Sequence, residues 1–205
     1  MGLVKLNDRG VRSATTFGSV CGGAMTFIKK LTASSSANLS FVDGTSDVVL
    51  DDTYKEYMFT FKNIHAATDD KSLTLNLSID SGSNYNVAKT TTFFYGYNDE
   101  TASNTGLDYN SGKDLAQGTG EQFFILGLGN DNDQSGSGYL HLFNPSSTTF
   151  VKHFIAVSNS YESTNNSQNN FVAGYGNTTS AVDAIQFKMN SGNIDAGDIC
   201  LYGIK

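Results

Sequence analysis

The stretch AVDAIQFKMNSGNIDAGDICLYGIK, residues 181–205, decides the fold class of this chain. Ile185, Phe187 and Met189 alternate with polar residues, which is the period of a β-strand with one buried face. Ser191-Gly192-Asn193 then supplies turn residues, so the sequence predicts a hairpin over this stretch. The returning strand is apolar on both sides, and we therefore expect it to lie inside a sheet.

The composition of the 205-residue chain favours one all-β domain. Apolar residues make up 39%, charged residues only 16%, and there are 14 Phe and 10 Tyr. This mixture is too aromatic for a disordered chain and suits many short strands joined by turns of small residues. Because no internal repeat and no long helical period is visible, we predict an antiparallel β-sandwich of jelly-roll type with about 11–12 strands.

Two strands and two loops stand out in the middle of the chain. Leu73, Leu75, Leu77 and Ile79 alternate strictly with polar residues, which predicts a strand with one apolar and one polar face. Residues 55–64 form the densest apolar run. The polar stretches 98–120 and 161–170 lack any period, and we predict that both are loops, the first long enough to be functional or partly mobile.

The N-terminal segment differs in charge from the rest of the chain. Residues 1–30 hold five basic residues and one acidic residue, a net charge of +4, whereas the remainder holds eight against 19, a net charge of −11. We predict that residues 1–25 form an extended docking arm ahead of a sandwich domain over residues 26–205. The alternative is that they form a first edge strand.

The charge pattern also limits the partners of the chain. The acidic body argues against nucleic acid or an anionic membrane as the main partner. The basic residues of the arm suit an acidic protein surface instead. They are Lys5, Arg9 and Arg12.

Cysteine usage and apolar runs indicate synthesis in the cytoplasm. Cys21 and Cys200 are too few for a disulfide framework, although a single bridge between them is an alternative to two free thiols. The opening MGLVKLNDRG lacks the apolar core of a signal peptide. The longest apolar run, residues 123–128, is far shorter than a membrane span.

One short motif points weakly to a metal. Asp131, Asp133 and Ser135, followed by a glycine, match the first ligand positions of a calcium loop. The closing position, where that loop needs a glutamate, is Leu142, so a solvated turn is the alternative. His65, His141 and His153 show no metal-ligand spacing, and we expect no cofactor.

No motif in the chain predicts catalysis. There is no GxSxG, no P-loop and no paired CxxC. Glu56 lies on a predicted strand, but no second carboxylate is singled out as its partner for glycoside hydrolysis. We therefore predict that the chain is not an enzyme, with polysaccharide hydrolysis as the alternative.

Three tyrosines adjoin the two predicted loops. Exposed Tyr97, Tyr109 and Tyr161 among Asn, Asp and Ser would suit a sugar-binding surface, which needs a flat apolar face ringed by polar groups. The alternative is ordinary packing at strand ends.

Three long segments carry a family resemblance. They are FVDGTSDVVLDDTYKEYMFTFKNIH (41–65), YLHLFNPSSTTFVKHF (139–154) and TTSAVDAIQFKMNSGNIDAGDICLYGIK (178–205). Together they resemble virion structural proteins from tailed phages of marine bacteria, notably those that infect cyanobacteria. The opening LVKLNDRGVRSATTFGSV is similar to the start of those proteins.

The resemblance implies a non-enzymatic protein of the virion surface, assembled in the host cytoplasm. Such a protein either decorates the capsid or belongs to the tail and its fibres, and its partners are other virion proteins. Virion proteins usually form symmetric homo-oligomers. The alternative within the same setting is a lectin-like receptor-binding module of a tail fibre that recognises host surface glycans. No residue gains a catalytic role from the resemblance.

Overall fold

The computed structural model describes residues 24–205, and in that part of the chain all regular secondary structure is β-strand. The twelve strands are β1 (Met25–Ser36), β2 (Leu39–Val42), β3 (Glu56–Ala66), β4 (Lys71–Ser78), β5 (Lys89–Asp99), β6 (Thr105–Tyr109), β7 (Gln122–Leu128), β8 (Gly136–Phe143), β9 (Lys152–Tyr161), β10 (Asn166–Gly176), β11 (Ala184–Met189) and β12 (Ile194–Ile204). The all-β prediction and the expected strand number are confirmed.

The strands form two packed antiparallel sheets. The eight-stranded sheet has the order β1-β12-β3-β8-β9-β10-β5-β6, and the four-stranded sheet has the order β2-β11-β4-β7. The β-sandwich is thus confirmed, whereas jelly-roll connectivity stays a prediction. Residues 1–23 lie outside the described residues, and with them Lys5, Arg9, Arg12 and Cys21 of the predicted arm.

The hairpin prediction for residues 181–205 is wrong. β11 pairs with β2 and β4 in the smaller sheet, whereas β12 pairs with β1 and β3 in the larger one. Residues 190–193 therefore cross from one sheet to the other. A short turn can do this because packed sheets lie only about 10 Å apart. The placement of the final strand inside a sheet is confirmed.

Phe187 on β11 lies at the centre of the core between the sheets and contacts four other aromatic rings. Its fully buried ring lies 5.0 Å from that of Phe61 and 5.4 Å from that of Phe59, both on β3. The rings of Phe41 and Phe124 lie at 6.2 and 6.0 Å. The interplanar angles of 62–80° are the edge-to-face arrangement that aromatic pairs favour.

The outer face of the four-stranded sheet is polar but covered. Leu73, Leu75 and Leu77 of β4 are buried as expected, but so are the alternating polar residues. Thr119 and Glu121 lie against two of these polar side chains, and Ser72 and Ser78 bond to neighbouring backbone N–H groups. Asn76 Nδ2 donates to the Thr119 carbonyl at 3.1 Å. The predicted fourth apolar position is wrong, because Ile79 lies beyond the end of β4 and is exposed.

Both predicted loops contain regular structure. Residues 98–120 include the end of β5 and all of β6, and no helix lies there. In the second, β9 continues to Tyr161 and β10 begins at Asn166, so only residues 162–165 form the turn. The buried side chains of these two strands bond to one another: Gln168 Nε2 donates to Asn170 Oδ1 at 2.6 Å, and Asn170 Nδ2 donates to Ser158 Oγ at 3.3 Å.

Candidate functional site

The outer face of the eight-stranded sheet exposes most of the large apolar side chains that face solvent. Of the nine exposed large hydrophobic residues in residues 24–205, seven lie on this face. They are Met25, Phe27, Phe94, Leu107, Tyr109, Tyr139 and Ile155. The other two, Ile79 and Phe150, lie off the sheet.

Cross-strand register aligns these side chains in rows. One row runs across five adjacent strands and consists of Tyr139, Val157, Phe171, Phe94 and Tyr109. Within it, the rings of Phe94 and Phe171 are stacked with 4.8 Å between centroids and 5° between planes. The next row consists of His141, Ile155, Ala173 and Thr92. The rows make a continuous apolar surface instead of scattered hydrophobic residues.

This surface carries no formal charge over five strands. On β8, β9, β10, β5 and β6, no outward position holds Lys, Arg, Asp or Glu. We call the outward residues of these five strands the charge-free face. At one end it passes into a polar border of Ser137, Asn159 and Asn169. Depletion of charge and enrichment in aromatic residues, with a polar rim, is the composition of a protein interface core.

The charged residues beside the charge-free face, on β1, β12 and β3, are largely paired. Glu56 contacts His141 through its carboxylate. Asp198 accepts a hydrogen bond of 2.6 Å from Thr32 Oγ1 and lies 3.3 Å from Lys30 Nζ. The hydrogen bond from Thr32, helped by Lys30, lowers the pKa of Asp198. These pairs leave little net charge at this border.

A hollow of about 480 Å³ lies within the charge-free face. Phe143, His153 and Tyr175 stand around it, over a floor of small residues that includes Ala173 and Gly174. The His153 and Tyr175 rings meet edge to face, 5.9 Å apart. Neither the Tyr175 hydroxyl nor the His153 imidazole has a side-chain hydrogen bond to any residue in 24–205, so both can bond to a ligand.

The three candidate tyrosines do not form one site. Tyr97 points inward from β5 and packs on Gly106, whereas Tyr109 and Tyr161 point outward from different strands. Tyr109 donates to Asp114 Oδ2 at 2.5 Å, and Tyr161 donates to Glu100 Oε1 at 2.9 Å. These hydrogen bonds raise the pKa of each hydroxyl.

The calcium candidate is a turn closed by its own side chain. Gln134 is buried, and its Oε1 accepts a hydrogen bond from the Asp131 backbone N–H at 3.1 Å, while the Gln134 backbone N–H donates to the Asp131 carbonyl at 2.9 Å. Asp133 is exposed, and Ser135 is half-buried. Residues 24–205 contain no group of three or more His, Cys, Asp or Glu arranged to hold a metal ion.

The remaining histidine and the described cysteine lie in ordinary surroundings. His65 lies beside the same turn, 3.3 Å from Asp195 Oδ2 and 3.2 Å from the Asp131 carbonyl. Cys200 lies on the outward side of β12 and is half-buried. Its alternative partner Cys21 belongs to the residues that the structure does not describe.

Two lysines are fully buried, which the sequence did not indicate. Lys89 donates from Nζ to Asn76 Oδ1 at 2.6 Å and to the Val87 carbonyl at 2.7 Å. Burial lowers the pKa of Lys89 to about 8, against the opposing influence of Glu121. Lys152 is buried likewise and donates to two carbonyls, and burial lowers its pKa too. Their inaccessible amines suit a structural role.

The charge-free face was missed because its residues come from five separate strands. One local signal did exist: YLHLF (139–143) and FFY (93–95) place large apolar or aromatic residues on both faces of a strand. A strand that is apolar on both faces indicates either a buried sheet or a sheet with an apolar outer surface.

Comparisons of the chain with models of known protein families, with curated proteins and with solved structures give no significant match. No helix long and apolar enough to cross a membrane occurs in residues 24–205.

Proposed function

We propose that this chain is a non-enzymatic structural protein of a phage particle surface, which acts by contact with other protein surfaces. The observation that carries the proposal is the charge-free face. The resemblance of residues 41–65, 139–154 and 178–205 to virion structural proteins supports the same role. Capsid decoration and a place in the tail or its fibres both fit a contact role.

The composition of the charge-free face supports a protein contact, because a large apolar patch that stays exposed to water promotes aggregation. Large contiguous patches on soluble proteins usually mark interaction sites or ligand grooves. Here the aromatic rows lie on a rigid sheet, and the opposite sheet keeps a polar, covered outer face. The asymmetry between the two outer faces gives the sandwich one contact side.

In this proposal the N-terminal arm attaches each copy to the particle. The basic residues Lys5, Arg9 and Arg12 suit an acidic surface on another virion protein. The first described residue directly precedes β1, which is an edge strand of the larger sheet.

Deletion of residues 1–22 tests the attachment. We expect the truncated protein to fold and to be missing from particles, measured by protein analysis of particles grown with tagged full-length or truncated protein. Normal incorporation of the truncated protein would contradict the docking role of the arm.

The non-enzymatic part of the proposal has its own support and test. Glu56 is engaged by His141, and the charge-free face offers no second carboxylate for a glycosidase pair. We expect no release of reducing sugar from host envelope polysaccharide. Release that is lost in Glu56→Gln would overturn this part.

Glycan binding is a second candidate function, and the hollow beside Tyr175 favours it. Aromatic rings around a shallow hollow, with a free hydroxyl and imidazole, are the groups that a sugar ring needs. A glycan array tests this, with Tyr175→Ala against Tyr109→Ala on the same face. Binding lost only in Tyr175→Ala assigns the hollow, whereas binding lost only in Tyr109→Ala assigns the edge of the face at β6.

A further inference from the structure

We propose that the charge-free face is a homodimer interface on which the same face of a second copy packs. The inference deepens the contact role and rests on it for the use of this face. It does not depend on the arm, so pairing and docking can fail separately.

The size of the apolar surface fits a weak, concentration-dependent dimer. The five strands of the charge-free face lie about 4.8 Å apart and give it a width of about 24 Å. Outward positions repeat about every 7 Å along a strand, so the three rows through Phe143, His141 and Tyr139 extend over about 20 Å. The projected area is about 480 Å² per copy, so two paired faces bury about 1,000 Å² in total, which is near the lower limit for a specific protein contact.

The charge of the chain favours a second copy as the occupant. With a net charge of −7, two copies repel one another wherever their acidic surfaces meet. The charge-free face is a surface on which two acidic chains can meet without burying like charges. Homodimer interfaces are also more apolar than those of transient partners, and this face has no Lys, Arg, Asp or Glu with which to select a charged partner.

The projections and the hollow on the charge-free face suit packing of one sheet against another. Ile155 and Phe94 project and are nearly half-exposed, whereas Ala173 and Gly174 floor the hollow between Phe143 and Tyr175. Projections beside a hollow allow the side chains of two copies to interdigitate over the usual sheet spacing of about 10 Å. The polar border of Ser137, Asn159 and Asn169 then lies at the solvated rim.

Sedimentation equilibrium of the full chain tests the proposal, because the monomer mass is 22.0 kDa. We expect the wild-type protein to approach twice that mass as concentration rises. Ile155→Arg should weaken self-association by at least about 100-fold, because a symmetric interface buries the unpaired charge twice. The matched control is Ile79→Arg: the two isoleucines are 47% and 43% exposed, but Ile79 lies off the face, so its variant should dimerise as the wild type does.

Circular dichroism and thermal unfolding establish whether Ile155→Arg has folded. If it has not, Phe94→Ser, which removes an exposed ring of the stacked pair, provides the second test and should likewise weaken association. A wild-type chain that stays monomeric up to its solubility limit would overturn the proposal. This holds even if the chain binds a glycan or another protein through the same face. Equal dimerisation of the wild type and a folded face variant would overturn it as well.

Discussion

At the scale of single residues, Phe187 links the predicted strand pattern to the stability of the molecule. Its ring contacts Phe59 and Phe61 from the opposite sheet and Phe41 from its own. The residue was identified by simple alternation along the sequence. Its central position was not, because alternation gives the buried side of a strand but not the neighbours found there.

Replacement of Phe187 by Ala should therefore be severe. We expect the free energy of unfolding to fall by about 3–5 kcal/mol, since the change leaves a cavity among four rings. Phe187→Leu should lose less because it refills part of the volume. Phe150, which is 68% exposed, is the control, and Phe150→Ala should change stability by no more than about 0.5 kcal/mol. Urea denaturation measures all three; equal effects at the two positions would contradict the central position of Phe187 in the core.

The buried Lys89 predicts a rise of stability with pH. Its pKa is about 8 in the folded protein against an ordinary value of 10.5, so between these values the unfolded chain binds more protons. The free energy of unfolding should therefore increase from pH 8 towards pH 10. Burial also raises the pKa of Tyr57 above its ordinary value of 10.0. Above about pH 10 the unfolded chain therefore loses the tyrosine proton that the folded protein keeps, and the free energy of unfolding stops rising with pH.

Denaturation at stepped pH values measures this effect. The rise should shrink in Lys89→Met and persist in Lys55→Met, whose lysine is exposed. Part of the rise should remain in Lys89→Met, because burial lowers the pKa of Lys152 as well. A wild-type stability that is flat or falling from pH 8 to pH 9.5 would disprove the assignment.

At the scale of elements, β12 depends on a glycine next to β3. Gly197 has φ of +120°, and an added Cβ would lie 2.7 Å from the Asn63 carbonyl oxygen and 2.8 Å from the Ile64 Cα. Both atoms belong to the backbone and cannot move aside cheaply. The register of β12 against β3 shifts at this point, so the glycine marks a β-bulge between two long strands.

Gly197→Ala should cost at least about 2 kcal/mol of stability, from backbone strain and overlap together. Two matched variants separate these causes. Gly44→Ala has φ of +71° but open space around its Cβ, and should lose about 1 kcal/mol from strain alone. Gly120→Ala has neither problem and should be nearly neutral. Thermal unfolding ranks the three; a neutral Gly197→Ala would show that the bulge can relax.

Most strands could be predicted from the sequence, but the pairing between strands could not. Residues 73–77 were identified because one face is purely apolar. The sequence predicts a loop at the start of β10 because Gln168 and Asn170 are polar, whereas in the structure they are buried and bond to each other. Pairing of β11 with β12 was wrongly expected, since residues 191–193 suit a hairpin turn and a sheet crossing equally well. Partner choice is decided by long-range packing that no local pattern encodes.

At the scale of the whole molecule, the two outer faces of the sandwich differ in kind. The buried polar groups on the outer face of the smaller sheet are bonded within the chain, to Thr119, Glu121 and neighbouring backbone N–H groups. Apolar rows remain open on the larger sheet. Sequence could not show this contrast, because Tyr139 and Phe94 meet in one row only through the pairing of strands distant in the chain. The sandwich fold follows from composition and alternation, whereas its contact side follows from topology.

Hydroxyl-radical footprinting of the full chain shows whether the charge-free face is the contact surface. Oxidation is compared at dilute and concentrated conditions for Tyr139, Phe94 and Ile79. Tyr139 and Phe94 should become protected as concentration rises, because the second copy covers them, while Ile79 should be oxidised equally throughout. Unchanged oxidation of Tyr139 and Phe94 at concentrations where the chain associates would contradict this prediction, since association would then use another surface.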